Sequence, residues 1–249
     1  MRSLSNRQPY YEWYITTYNT YAEANNPSNS YIWSIETLAD RILINFLLIL
    51  IGKSTDTQSV FGKGITSGGG SSTIGSYRSG VHNTKGLFYG TSSGNATKEN
   101  TIKVFGMENW WGLQWRCGLG YSVNNGVATI KLTYGTEDGS TVTGYNFTGN
   151  GYINPNITTC SGTSGSYIVD CEFNEYGMFP ITANSTGTDT TYYCDGLYFN
   201  NSGTGYVIRF GGASNTGTAI GGALAVDTNA TTSSWSVWMG ACLSARPLT

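Results

Sequence analysis

Three of the seven tryptophans fall in one 17-residue stretch, Phe105-Gly-Met-Glu-Asn-Trp-Trp-Gly-Leu-Gln-Trp-Arg-Cys-Gly-Leu-Gly-Tyr121, together with glycines at 106, 112, 118 and 120. Trp and Tyr bring the largest apolar areas to bury, so such a cluster belongs at the centre of a core. The interleaved glycines let backbone pass close to the rings or turn sharply. The stretch therefore reads as a core strand with its lead-in turn. Only Arg209-Phe-Gly-Gly212, continued through Trp235, Trp238 and Gly240-Ala-Cys-Leu-Ser244, answers it in kind. The two are expected to be central strands of one domain, distant in sequence and adjacent in space.

Composition supports short strands and many turns. Gly accounts for 34 of 249 residues and charged residues for only 11%, against about 25% in ordinary globular chains. Hydrophobic residues at 39% are enough for a core. A net charge of −2 gives no basic footprint for nucleic acid. The five cysteines (117, 160, 171, 194, 242) have no zinc spacing. Cys160 and Cys171 could bridge a hairpin, and free buried thiols are the alternative. The polar N-terminus carries no apolar run of the kind a signal peptide needs. The N-x-S/T triplets at Asn95, Asn146, Asn156, Asn184, Asn200 and Asn229 fit chance in a chain rich in Asn and Thr, and no glycan is assigned.

Taken in order, residues 1–33 are polar but aromatic, and read as an extended arm that lies on something else. Ser34 to Ile51 reads as a helix capped by Ser34, with Trp33 and Leu38 as a staple, Glu36 in its first turn and Gly52-Lys53 as its stop. From Ile42 onward only Asn45 is polar, so the helix is apolar on every face. The run is too short to span a bilayer, which takes about 20 residues. It is expected against other copies of itself, against a neighbouring domain, or buried within one chain; in an oligomeric core Asn45 would set register. Gly52-Lys53-Ser54 lacks the upstream glycine of a phosphate-binding loop, position 47 being Leu, and is rejected as one. Residues 34–80 read as this helix plus a Gly/Ser-rich linker.

Residues 81–249 read as the β domain. Val127 to Tyr134 alternates, with Ala128, Ile130, Leu132 and Tyr134 on one face, between the turn signals Asn125-Gly126 and Asp138-Gly139. Residues 135–166 read as surface loops, 192–199 and 206–210 as strands, and the region after Gly240 as the last strand.

Chemistry-bearing groups are sparse. His82, the single histidine, is expected to be solvated in a polar loop; no G-x-S-x-G elbow is present. Glu108 is expected to accept hydrogen bonds from backbone. No acid/base pair, calcium loop or metal cluster emerges, so no catalytic residue, metal or cofactor is expected. The alternative is a binding surface. Gly211 to Ser234 is small, polar and nearly uncharged, between two aromatic strands that would hold it rigidly.

Gly106-Met-Glu-Asn-Trp-Trp-Gly-Leu-Gln-Trp115 resembles the G-x-x-x-x-G-N-x-W-E-W element of the formylglycine-generating-enzyme type of C-type lectin fold. Arg209-Phe-Gly-Gly212, a Trp and Gly-Ala-x-Leu-Ser244 resemble that fold's closing pattern. Asn83 to Gly90, Thr191 to Gly196 and Ile42 to Gly62 are similar to stretches in lectin-fold proteins of bacteriophages and prophages, in the same order. The resemblance implies an α+β, C-type-lectin-like domain rich in short antiparallel strands, with an N-terminal extended arm and one strongly apolar helix. Relatives include the variable proteins of diversity-generating retroelements, whose final strand-loop-strand forms a ligand-binding face.

Carried over by position, that face is Ala213, Ser214, Asn215, Thr216, Thr218, Asp227 and Asn229 with Trp235 and Trp238. The implied protein is a virion component (tail fibre, tail tip or head fibre) that binds a host-surface carbohydrate or protein. Its expected partners are that receptor, other virion proteins and two further copies in a homotrimer, with neither nucleic acid nor membrane insertion. A non-binding decoration protein and a formylglycine-type oxidase are the alternatives. Against the oxidase, Gln114 stands where the element has an acidic residue, and closely spaced catalytic cysteines are not identifiable. The W-N-D and E-P-N calcium-sugar signatures of animal lectins are absent as well.

Overall fold

The computed structural model describes residues 31–69, 80–132, 145, 149–203, 206–216, 220–231, 234, 236, 238–240 and 242–247. The described residues are mostly β with few helices, broadly an α+β arrangement. Of the arm, residues 1–30 lie outside the described residues, as do 70–79 of the expected linker and the Asp138-Gly139 turn.

The tryptophan stretch supplies the central strand, β4 (Trp115–Asn124), nearly all of it buried. Its lead-in is a chain of tight turns in which Phe105, Asn109 and Leu113 take positive φ beside Gly106 and Gly112. These turns press Trp110 and Trp111 inward to 2% and 0% exposure. One edge of β4 pairs antiparallel with β10 (Tyr206–Phe210), placing Arg209 opposite Cys117 and Phe210 opposite Arg116. The other edge is shared. β12 (Met239–Gly240) pairs with Trp115 and Arg116, and β5 (Val127–Ile130) with Tyr121 to Asn124. Between them, the Leu119 N–H donates to the Glu36 carbonyl at 2.9 Å. The two aromatic stretches are thus neighbouring strands, as their composition indicated.

Beyond β10 the sheet continues through β11 (Val226–Thr231), β9 (Gly196–Phe199), β7 (Ser166–Asn174), β8 (Gly177–Asn184) and β6 (Ser161–Gly162). β4 and β5 form the expected hairpin, with Asn125 and Gly126 at φ 50° and 76° in its two-residue turn. Ala128 and Ile130 face the core while Val127 is exposed. Two expectations shift. The strand read over 192–199 shrinks to β9, because Tyr192 and Cys194 take positive φ in a turn. β9 and β10 do not pair with each other; β11 lies between them, parallel to β9. The region read as loops also contributes β6, and the Ile153–Ile130 bridge.

The apolar helix begins later than its sequence suggests. Tyr31–Ile35 forms β1, paired antiparallel with β13 (Leu243–Pro247). This takes Ser34 and the staple partner Trp33 out of the helix entry. α1 is Leu38–Gly52 instead, capped by a box in which Asp40 N–H donates to Thr37 Oγ1 and Thr37 N–H donates to the Asp40 carboxylate. No helix among the described residues is long and apolar enough to cross a membrane. Leu38 and Leu48 are buried, and Ile42 and Ile49 pack on the main core. Leu43, Leu50 and Ile51 remain 60%, 70% and 52% exposed, so the described residues do not bury α1 on every side. Asn45 is satisfied inside the chain: it donates to the Ala223 carbonyl at 2.7 Å and accepts from Trp110 Nε1 at 3.0 Å. These two bonds use one of its amide N–H groups and its carbonyl within the chain.

The described residues after α1, 53–69, are bonded to the β region. α2 (Thr57–Phe61) is capped by Asp56. The following chain is locked to the tryptophan turns by the Leu113 N–H bond to the Ile65 carbonyl at 2.6 Å. All five cysteines are free, so no Cys160–Cys171 bridge exists.

Candidate recognition surface

The expected face is the return from β10 to β11 and the chain that follows. Gly211 enters this return with φ 87°, and a Cβ there would lie 2.9 Å from Trp111 Cα. The backbone thus rests directly on the tryptophan turn, and the Gly112 N–H donates to the Gly211 carbonyl at 3.0 Å. A tight turn follows, in which the Ala213 N–H donates to Thr216 Oγ1 at 2.7 Å and the Thr216 N–H to the Ala213 carbonyl at 2.9 Å. This turn holds Asn215 out into solvent, with Thr216 half-buried beside it.

Not every residue expected to make contacts does so from the surface. Ala213 and Ser214 are 0% and 1% exposed, and Asp227 is 4% exposed. Ala213 packs with Trp115 and Ala225 and belongs to the floor. Asp227 sits opposite Arg209 across β10 and β11 and accepts from its Nη2 at 2.5 Å. Burial pushes the Asp227 carboxyl up, against the pull of Arg209. Asn229, one pleat further on the same face, is exposed. Its N–H donates to Asp227 Oδ1 at 2.8 Å, and its Oδ1 lies 3.3 Å from Arg209 Nη2. Trp238 is half-buried against Ile65, Leu113 and the Trp115 group, and its carbonyl accepts from Trp115 N–H at 2.7 Å. Thr218 and Trp235 lie outside the described residues.

Sequence reading missed two supports of this face. One is the Arg209 side chain, 5.8 Å from the Trp115 ring, which in turn meets Tyr198 edge-on at 5.8 Å. The other is Asp195, 1% exposed, which holds the far limb of the return. Asp195 Oδ2 accepts from Leu224 N–H at 2.7 Å, and Oδ1 lies 3.5 Å from Gln58 Nε2. A Cβ on Gly222 would meet Asp195 Oδ1 at 1.9 Å, so no side chain fits between them.

Burial pushes the Asp195 carboxyl up to about 7, from about 3.9 in an unfolded chain. The folded protein therefore holds a proton there that the unfolded chain has released. Its stability falls as pH rises from about 4 to about 7. Asp195→Asn is expected to flatten that part of the stability–pH curve. It should exceed the parent at pH 8 by on the order of 1–2 kcal/mol, measured by denaturant unfolding.

His82 is 3% exposed, contrary to the solvated loop position expected for it. Its Nε2 contacts Thr101 Oγ1 at 2.7 Å and the Thr101 carbonyl at 3.0 Å, and its ring packs on Tyr89 at 4.2 Å. Glu108 accepts from the N–H groups of Gly80 and His82, as a carboxylate bonded to backbone should. Among the described residues no three His, Cys, Asp or Glu side chains converge as metal ligands. Comparison with protein-family models, with curated proteins and with solved structures gives no match for this chain.

Proposed function

We propose that this chain is a virion receptor-binding protein of a bacteriophage, with a C-type-lectin-like fold. It would engage a host-surface carbohydrate or protein through the face between β10 and β13. The observation that carries the reading is the division of that face into a fixed floor and free tips. Trp115, Arg209, Asp227 and Ala213 are buried and mutually bonded or packed, while Asn215 and Asn229 stand exposed above them. Short polar tips lose little rotamer freedom on contact, and a rigid base removes the need to order a loop.

Each site would bind weakly, so several copies acting together would supply the avidity. The uncovered apolar residues of α1 (Leu43, Leu50 and Ile51) fit packing between copies, and a homotrimer is the assembly we infer. The same exposed residues also support a second reading, a decoration protein that packs into the particle and binds nothing outside it. The oxidase alternative is disfavoured for four of the five thiols. Burial pushes Cys117, Cys171 and Cys194 up to about 12 and Cys160 up to about 11, which opposes the thiolate an oxidase would use.

Asn215→Ala with Asn229→Ala changes two exposed residues and takes from the floor only the 3.3 Å contact of Asn229 Oδ1 with Arg209 Nη2, leaving the Arg209–Asp227 pair in place. Binding of the purified assembly to host cells is expected to weaken by about tenfold or more, with thermal stability unchanged. Parent and variant binding cells equally would favour the decoration reading.

A further inference from the structure

A groove of about 580 Å³ runs between the segments 58–63 and 88–92, a volume inside the range of about 300–1,000 Å³ usual for ligand clefts. Backbone pins its two sides together. The Lys63 N–H donates to the Thr91 carbonyl at 2.9 Å, and a Cβ on Gly62 would lie 2.6 Å from Gly90 Cα. The Tyr89 N–H and carbonyl are tied in turn to Lys103, at 2.9 Å and 2.7 Å. The groove therefore has its shape before a ligand arrives, which spares the cost of ordering it on binding.

Phe88 lines this groove and is 36% exposed, yet neighbouring rings hold it in place. It stacks on Phe61 with centroids 5.4 Å apart and meets Phe105 edge-on at 4.9 Å. Phe61 and Phe105 pack in turn on the Trp110–Trp111 core. A ring fixed in contact with water keeps apolar surface that folding has not used. Beside it the lining offers hydroxyls. Ser92 is exposed, and Thr91 Oγ1, which donates to Asn100 Oδ1 at 2.6 Å, keeps lone pairs for a further donor.

Among the described residues, Lys63 is the only charged side chain that lines the groove, half-buried and in no ion pair. Asp56, the acidic residue closest to it in sequence, is engaged by the α2 cap, where it accepts from the N–H and Oγ of Ser59. A second cation, Lys85, stands 5.0 Å from the Tyr89 ring. The groove thus combines a fixed aromatic surface, hydroxyls and uncompensated positive charge.

We propose that this groove binds an acidic saccharide, a uronate unit of a glycan. A pyranose ring has an apolar C–H face and an edge of hydroxyls. The C–H face lies against Phe88, the hydroxyls meet Thr91 and Ser92, and the carboxylate pairs with Lys63. A nucleotide would stack on the same ring, but its phosphate monoester carries a charge of about −1.5 to −2, more than one lysine matches. None of the lining residues belongs to the face between β10 and β13, so this inference does not rest on the receptor reading.

The test is calorimetric titration of the full chain with sodium tri-galacturonate, with intermolecular NOEs from the sugar. Saturable binding is expected, with NOEs from the sugar ring protons to Phe88. Maltotriose, neutral and of equal length, should bind about threefold more weakly. Lys63→Gln breaks no ion pair, so it should fold, lose about threefold for the uronate and lose nothing for maltotriose. Phe88→Ala should weaken both sugars at least about fivefold. Asn215→Ala with Asn229→Ala should bind tri-galacturonate as the parent does. The proposal is overturned by no saturable binding up to about 20 mM tri-galacturonate, by equal affinity for maltotriose, or by tighter binding of adenosine monophosphate. Parental affinity in both Lys63→Gln and Phe88→Ala, or loss of binding in the asparagine variant, would overturn it as well.

Discussion

Glu36→Gln is expected to destabilise the protein by about 3–5 kcal/mol, enough to unfold much of a marginally stable population. Glu36 is 2% exposed and is held by backbone on both sides: its N–H donates to the Cys242 carbonyl at 3.0 Å and its carbonyl accepts from Leu119 at 2.9 Å. The carboxylate is therefore fixed at the junction of β1, α1 and β4. One oxygen meets Arg41 Nε and the other lies 2.6 Å from Arg116 Nη2. Both guanidinium groups pack against the Trp110 ring, at 3.9 Å and 4.7 Å from its centroid. Removing the carboxylate leaves two buried cations side by side. Adding Arg41→Met to Glu36→Gln removes one of them and should recover part of the loss, which a double-mutant cycle by urea unfolding measures. Additive losses in that cycle would contradict the shared ion group.

Gly112→Ala is the second large effect. Gly112 has φ 72°, and a Cβ there would lie 2.7 Å from Ile65 N and 2.9 Å from Ile65 O. Those are backbone atoms, held by the Leu113–Ile65 hydrogen bond, and cannot swing aside as a side-chain tip would. The left-handed conformation alone costs an alanine about 1–2 kcal/mol. Displacing the 64–66 segment adds about 1–3 kcal/mol more. Gly86→Ala serves as control, since nothing lies within 4 Å of its Cβ position. The expected result is a lowered unfolding midpoint for the first and an unchanged one for the second. Equal midpoints would mean that the turn carrying Trp111 is not fixed against residues 64–66.

These two sites show what was and was not legible in the sequence. The tryptophan stretch and Arg209-Phe-Gly-Gly212 announced themselves by ring area and glycine content, and they pair as neighbours. The Asn125-Gly126 hairpin was equally legible, since few other residue pairs accept positive φ twice in succession. Ser34 misled because helix signals are local, whereas the strand that claims residues 31–35 is made by partners more than 200 positions away. Arg41, Asp195 and the Arg209–Asp227 pair were not legible, because each depends on register or on a long-range neighbour. His82 failed for the same reason: Gly and Asn beside it suggest a loop in water, but Thr101 and Tyr89 close over it. Of the recognition surface, the segment was readable and the division into floor and tips was not. Ala213, Ser214 and Asp227 have side chains as short as those of the neighbours that do reach solvent.

The recognition reading is tested most directly by placing a photo-crosslinking benzoylphenylalanine at position 215 or 229 and irradiating the purified assembly on host cells. A third version with the label at position 173 serves as control, since Phe173 is 59% exposed on β7, away from the proposed face. The account predicts that labels at 215 and 229 capture the same host-surface component and that the label at 173 does not. Capture of that component from 173 alone, or from none of the three on cells that bind the assembly, would contradict it.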